Sequence, residues 1–155
     1  MKVHTYEKAF LTLGVIVLIA CGAALLYASV GHGVHLPGEG GRIVPQEVTR
    51  TAPFDSIGVH QVAPGRYRAV IIAQAWAFLP GEIRVPRGSE VEFIVTSTDV
   101  LHGFHIQGTR VNVMAIPGQI SRAVARFDEP GEHLLICHEY CGLGHHTMAG
   151  KVVVE

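Results

Sequence analysis

Residues 89–97 read Ser-Glu-Val-Glu-Phe-Ile-Val-Thr-Ser, and residues 120–127 read Ile-Ser-Arg-Ala-Val-Ala-Arg-Phe. In both stretches polar and apolar side chains alternate, which is typical of β-strands with one buried face. From residue 67 onward, about eight such short segments follow one another, separated by Pro-Gly, Arg-Gly and Glu-Pro-Gly turns. The sequence therefore predicts a mainly β fold, a Greek-key sandwich or a small barrel.

The segment before this region has a different composition. Residues 9–30 carry no charged side chain, and about 22 residues at ~1.5 Å each reach about 33 Å, enough to cross a ~30 Å hydrocarbon core. Lys2 and Lys8 precede the segment and the next basic residue is Arg42, which favours a cytoplasmic N-terminus. We therefore expect residues 1–30 to form one transmembrane anchor, with lipid around it and the rest of the chain on the outer side.

Two other readings of the apolar segment stay open. One is a cleaved signal peptide, although the apolar run is longer than the usual core of such a peptide. The other is a lipoprotein signal in which Cys21 would carry the lipid, although the sequence after Cys21 remains apolar.

Behind the anchor, residues 31–50 are rich in Gly, Pro and His and are predicted to be a juxtamembrane linker. Residues 51–155 are then predicted to be the outer domain. The whole chain carries 12 Lys and Arg against 13 Asp and Glu. Because it has no basic excess, we expect no nucleic-acid partner.

The residues with most chemistry lie near the C-terminus. Cys137, Cys141, His145 and Met148 follow the spacing C-x3-C-x3-H-x2-M, between the predicted strands 132–137 and 150–155. The four side chains therefore belong to one loop, and a compact loop between adjacent strands can bring them to one point.

Three chemistries fit this loop. A disulfide between the two cysteines leaves His145 and Met148 without a role. A structural zinc site, completed by His102, would use both thiolates, but zinc seldom takes a thioether. Copper accepts thiolate, thioether and imidazole together. A single-copper carrier needs only one cysteine, so the second cysteine favours two bridged copper ions.

A further histidine has to come from elsewhere in the chain. His102 lies just after the predicted strand 89–97, and His105 lies three residues further on. On a strand these two residues would face opposite sides, so we expect at most one of them to be a ligand.

The motif DVLHGF at residues 99–104, together with C-x3-C-x3-H-x2-M, resembles the copper A domain of subunit II of heme–copper cytochrome c oxidases. The similarity covers nearly the whole chain, and the single N-terminal span resembles the short subunit II of B-type, ba-like oxidases. The resemblance implies a cupredoxin-like β-sandwich or barrel preceded by one transmembrane helix.

The resemblance also implies a ligand set. Cys137 and Cys141 would bridge both ions of a dinuclear copper A centre. His102 and Met148 would complete one ion, and His145 and the backbone carbonyl of Glu139 the other.

The side chain of Glu139 corresponds to a glutamate that reaches magnesium at the subunit I interface in A-type oxidases. B-type relatives often lack that site. Trp76 and Phe78 are candidates for a donor docking surface, and alternation places both on one face of their strand.

By this resemblance the chain is the subunit through which electrons enter a proton-translocating cytochrome c oxidase of a bacterial or archaeal cell membrane. Its implied partners are subunit I, which holds the hemes and reduces dioxygen, a one-electron donor such as cytochrome c, and optionally a small additional transmembrane subunit. The alternatives are a copper A subunit of a nitric oxide reductase, a membrane-tethered cupredoxin carrier, or a copper-delivery protein.

Overall fold

In the computed structural model, residues 4–32 and 38–155 are described, and they belong to two compact units. The first unit contains helix α1, Thr5–His32. Residues Thr5–Gly31 have a mean hydropathy of 2.6, and none of the most apolar stretch is buried by the protein. By length and composition this helix can cross a membrane, as the sequence predicts.

The second unit is built of β-strands, as the alternating segments predict. Two short 3₁₀ helices, Pro45–Arg50 and His145–Thr147, lie outside the strands. The strands in the described part of the chain are β1 Gly58–Ala63, β2 Arg66–Gln74, β3 Ala77–Leu79, β4 Glu82–Val85, β5 Ser89–Ser97, β6 His102–Ile106, β7 Asn112–Ala115, β8 Ser121–Phe127, β9 Gly131–Ile136 and β10 Ala149–Val154.

The strands form two sheets. One has the order β1-β2-β5-β8, with β3 paired to β2, and the other has the order β4-β10-β9-β6-β7. Most neighbours are antiparallel, but β2 pairs with β5 and β4 pairs with β10 in parallel. The two-sheet β fold is confirmed. The parallel pairs arise where the chain crosses from one sheet to the other and returns, which alternation within a single strand does not reveal.

The main core lies between the two sheets and is rich in aromatic side chains. Phe104 of β6 lies 5.5 Å from Phe78 and 5.9 Å from Phe93, measured between ring centroids, and Phe93 lies 6.2 Å from Phe127. All four are almost completely buried. Three sulfur-bearing residues of the C-terminal loop, Cys137, Cys141 and Met148, belong to the same buried cluster, so the loop is packed into the domain at its inner side.

A second, smaller core covers the outer face of the first sheet. Residues 42–56, here called the strap, run across this face and bury Ile43, Val48 and Phe54 against Ile72 and Ile94. The strap begins beside the turn before β8, where the backbone N–H of residue 43 donates to the carbonyl of residue 118 at 3.2 Å. Part of the predicted linker therefore packs on the sheet, while residues 33–37 lie outside the described residues. The division into residues 1–30, 31–50 and 51–155 stays a prediction.

The strap makes a stability prediction. Phe54→Ala removes a ring that is only 2% exposed and should lower the free energy of unfolding by about 3–5 kcal/mol, the usual cost of emptying such a site. Val44→Ala, in the same strap but 53% exposed, should change it by less than about 0.5 kcal/mol. Urea unfolding of the full chain in detergent measures both values, and equal midpoints for the two variants would contradict the packing role of the strap.

Candidate metal centre

The loop of residues 137–148 is closed at its base by two paired strands. Strand β9 ends at Ile136 and β10 begins at Ala149, and these two residues are direct partners in the antiparallel register. The backbone N–H of Cys137 donates to the carbonyl of Met148 at 3.3 Å. The first and last candidate ligands of the loop therefore sit opposite each other, held by the sheet rather than by the loop itself.

The middle of the loop folds back over this base. The N–H of His145 donates to the carbonyl of Gly142 at 3.1 Å. The N–H of Met148 donates to the carbonyl of His145 at 3.2 Å and closes the following 3₁₀ turn. Gly142 has a φ of +119°, a backbone conformation that favours glycine. As a result, the Sγ atom of Cys141 lies 3.5 Å from Nδ1 of His145 and 3.7 Å from Sδ of Met148.

The two cysteines lie side by side without a covalent bond between them. Their Sγ atoms are 3.8 Å apart, and both thiols are free and buried. A disulfide requires about 2.05 Å, so this arrangement is not a disulfide. Two sulfurs at this separation can both lie at a metal–thiolate distance of about 2.3 Å from the same ion, which is the geometry that bridging requires.

His102 approaches the sulfurs from the other side of the cluster. It opens strand β6, is fully buried, and places Nδ1 4.0 Å from Sγ of Cys137. The ligand atoms of His102, Cys137 and Cys141 all lie within 4.8 Å of one another. His105 is not brought to this cluster, because its Nδ1 lies 2.9 Å from the carbonyl of Val111.

Asp99 fixes the orientation of the His102 ring. Its Oδ1 lies 2.8 Å from Nε2 of His102, and its carboxylate also accepts the backbone N–H groups of Ala75 and Val100, each at 2.6 Å. An Nε2–H donated to this carboxylate would leave the lone pair of Nδ1 facing the sulfurs, as in metal-binding histidines. Sequence reasoning missed Asp99, although a carboxylate three residues before a candidate ligand was a usable signal.

Burial and hydrogen bonding act on the ionisation of this cluster. Burial raises the pKa of Asp99, but hydrogen bonds from His102, Ala75 and Val100 outweigh it and hold that pKa below its usual range. Burial is the largest cause that raises the pKa of Cys141, and the adjacent Cys137 thiol is the next. Together they raise this pKa to about 11. A metal ion that binds the Cys141 thiolate must therefore displace a proton, and its uptake is favoured as pH rises.

Glu139 presents its backbone and its side chain to different surroundings. Its carbonyl oxygen lies 3.3 Å from Sγ of Cys137. Its carboxylate lies 3.7 Å from Nδ1 of His138 and is 42% exposed. The backbone of Glu139 thus faces the sulfur cluster, while its side chain is open to solvent.

Trp76 and Phe78 do not share a face, so that prediction was wrong. Strand β2 ends at Gln74 and the chain turns before β3. Phe78 is 2% exposed and packs in the core, while Trp76 is 43% exposed. The indole Nε1 of Trp76 donates to the carbonyl of Cys141 at 3.2 Å, a contact that the sequence did not indicate.

Taken together, the donor groups suit a soft transition metal. Two thiols, a thioether, two imidazoles and a backbone carbonyl converge, and this mixture of sulfur and nitrogen is typical of copper. A tetrahedral zinc ion would use only four of them. The residues present therefore fit a pair of metal ions bridged by sulfur.

Comparison with known proteins gives an independent line of evidence. Residues 74–155 match the family model described as cytochrome c oxidase subunit II, periplasmic domain. A cytochrome c oxidase subunit 2 from Thermus thermophilus is 38% identical over 154 residues, which cover 97% of this chain and 92% of that protein. An alternative cytochrome c oxidase subunit 2 from Bradyrhizobium diazoefficiens is 30% identical over 77% of this chain and 41% of that protein.

Solved structures agree with these matches. A chain of a heme–copper terminal oxidase dimer, determined by cryo-EM, has a TM-score of 0.73 and 40% identity, and the match covers 97% of this chain and 99% of that chain. The periplasmic domain of subunit II of cytochrome oxidase from Bradyrhizobium japonicum, at 20% identity and a TM-score of 0.53 over 57% of this chain and 83% of that chain, shares the fold. The predicted cupredoxin-like architecture is confirmed, and this chain belongs to the cytochrome c oxidase subunit II family.

Proposed function

We propose that this chain is subunit II of a heme–copper cytochrome c oxidase, the subunit through which electrons enter the enzyme. The observation that carries the proposal is the convergence of five side chains on one cluster, in which His102, Cys137, Cys141 and Met148 are buried and His145 is partly buried. Family membership supports the same role, because the matched relatives are named as oxidase subunits over almost the whole length of this chain. The nitric oxide reductase and free-carrier alternatives have no comparable support.

The proposed cofactor is a dinuclear copper A centre. Cys137 and Cys141 would bridge the two ions, which their 3.8 Å separation supports. His102 and Met148 would complete one ion, and His145 with the carbonyl of Glu139 the other. When bound, such a pair supplies one-electron exchange with the charge shared over both ions.

The contribution of the protein is to keep these ligands in place. The paired ends of β9 and β10 fix Cys137 and Met148, and the Asp99 carboxylate fixes His102. Side chains held in this way need little rearrangement when the charge at the site changes.

The surface around the loop is apolar and supports a weakly charged contact with the electron donor. Large apolar side chains stand exposed here: Trp76 43%, Val100 45%, Leu101 37% and Leu143 84%. Exposed apolar groups of this kind mark interaction sites. We place the donor, cytochrome c or a similar one-electron carrier, on this surface.

The partner that receives the electrons is subunit I, which would hold the hemes and reduce dioxygen. The ring of Tyr140 lies 5.8 Å from that of His145 at the edge of the cluster, and this edge is our proposed contact with subunit I. A small additional transmembrane subunit would complete the membrane part. The exposed carboxylate of Glu139 would be available as a ligand of a magnesium ion at the subunit I interface.

The proposed arrangement in the cell follows from helix α1 and the charges around it. The helix would anchor the chain once in a bacterial or archaeal cell membrane and contact its lipids. Lys2 and Lys8 lie on the N-terminal side of the apolar residues, and the next Lys or Arg after the helix is Arg42. This charge bias supports a cytoplasmic N-terminus, with the copper domain on the outer side of the membrane.

The function is tested on the complete chain in its own membrane. An affinity-tagged chain should co-purify with a heme-containing partner, and reduced cytochrome c should drive oxygen consumption by the complex. Cys141→Ser should lower this rate by at least about 100-fold, since the loss of groups that only orient ligands already costs up to that factor. Cys21→Ser, in helix α1, is the matched control and should retain the full rate.

Two outcomes contradict the proposal. One is a tagged chain that purifies without heme and reduces soluble acceptors by itself. The other is a Cys141→Ser complex that keeps its oxygen consumption. A partner that reduces nitric oxide in place of dioxygen would instead support the reductase alternative.

The Asp99–His102 contact gives a separate prediction. Asp99→Asn keeps the size of the side chain but removes the charge that orients His102, so copper should be held about 10–100-fold less tightly. Competition with a copper chelator measures this change. Asp128→Asn, at an exposed carboxylate paired with Arg126, is the control. Equal copper affinity in the two variants would show that Asp99 has no role in holding the ligand.

A further inference from the structure

We propose that Trp76 is a positioning residue for the metal centre, and that the Ala75–Trp76 turn links the two chain segments that carry the ligands. This inference rests on the proposed function, because it concerns the copper ligands. It concerns the geometry of the loop rather than docking of the electron donor.

The side chain of Trp76 covers the middle of the loop. Its Nε1–H donates to the carbonyl of Cys141 at 3.2 Å. A Cβ atom built on Gly144 would lie 2.5 Å from Cδ2 of the indole, and one built on Gly142 would lie 3.0 Å from Nε1. The indole thus lies directly against the loop backbone: a larger residue would collide with it at position 144 and would be tightly packed against it at position 142.

The backbone of the same turn reaches the other ligand segment. The N–H of Ala75 donates to Oδ2 of Asp99 at 2.6 Å, and Oδ1 of Asp99 lies 2.8 Å from Nε2 of His102. Two consecutive residues therefore contact the carbonyl of one bridging cysteine and the carboxylate that orients a histidine ligand. In the described residues, this turn joins segments that are about 40 positions apart in the sequence.

The turn itself is held by the sheet. Gln74 of β2 pairs with Ala77 of β3, and Phe78 of β3 is buried in the main core. A residue placed on such a rigid element positions its contacts better than one on a free loop. Trp76 is 43% exposed, so burial of the ring alone does not fix its position. Its hydrogen bond to the Cys141 carbonyl does so as well.

The consequence concerns how firmly Cys141 is held. Without the indole N–H, the Cys141 carbonyl loses its partner, and the backbone from Cys141 to Gly144 is held less firmly. The loop should then open more often, and copper should leave faster. The loss of one neutral hydrogen bond should change the rate of copper release by about 2–10-fold.

The test compares Trp76→Phe with Tyr67→Phe in the full chain loaded with copper in detergent. Trp76→Phe keeps an aromatic ring over the loop but removes the N–H donor. We expect release of copper to a chelator to be about 2–10-fold faster, with an altered copper EPR spectrum. Tyr67→Phe, which removes a polar atom elsewhere on β2, should match the wild type. Unchanged release and an unchanged spectrum in Trp76→Phe would overturn the proposal, even if reduction by the donor were slowed.

A second pair of measurements does not depend on copper. Trp76 is the single tryptophan of the chain, so its fluorescence reports its own position. Gly144→Ala should push the indole off the loop and raise its quenching by acrylamide, and Trp76→Phe should speed amide exchange at residues 141–144 in protein prepared without metal. If wild-type protein bound no copper pair, the proposed function would fail, while these two results would still decide the positioning role. If both the acrylamide quenching and the amide exchange were unchanged, the positioning role of Trp76 would be overturned.

Discussion

Antiparallel pairing of β9 with β10 is the constraint on which the metal centre depends. The pair Ile136 and Ala149 fixes both ends of the loop, and the Cys137–Met148 hydrogen bond continues the ladder one step further. The sheet therefore sets the distance between the first and last candidate ligands. The loop has only to fold back once to bring Cys141 and His145 over them, which the turn at Gly142 accomplishes.

The second half of the site comes from a different part of the fold. His102 lies in the same sheet, on β6, which pairs with β9, so the two ligand-bearing segments are neighbours through backbone hydrogen bonds. Asp99 and the Ala75–Trp76 turn add contacts from the opposite sheet and the loop between them. A site fixed in this way by two sheets keeps its geometry while its charge changes, and this suits a one-electron relay.

Local pattern predicted the parts of the structure that local forces decide. Alternation identified strands such as β8, and the C-x3-C-x3-H-x2-M spacing placed the ligand loop between two strands. The strap was not predicted in detail, because Val48 and Phe54 have no periodic spacing and acquire their role only by packing on a distant sheet. Trp76 was misplaced for the same reason, since its partner Cys141 lies 65 positions away in the sequence. Asp99 was missed although its partner His102 lies only three residues further on. The ligand set itself remains a prediction.

The central claim is that this chain holds two copper ions between the two cysteine sulfurs. The most direct test is the copper content of the purified full chain, together with its EPR spectrum. Our account predicts two copper ions per chain and hyperfine splitting from two copper nuclei that share one unpaired electron. One copper ion per chain with splitting from a single nucleus, or stoichiometric zinc in place of copper, would contradict it.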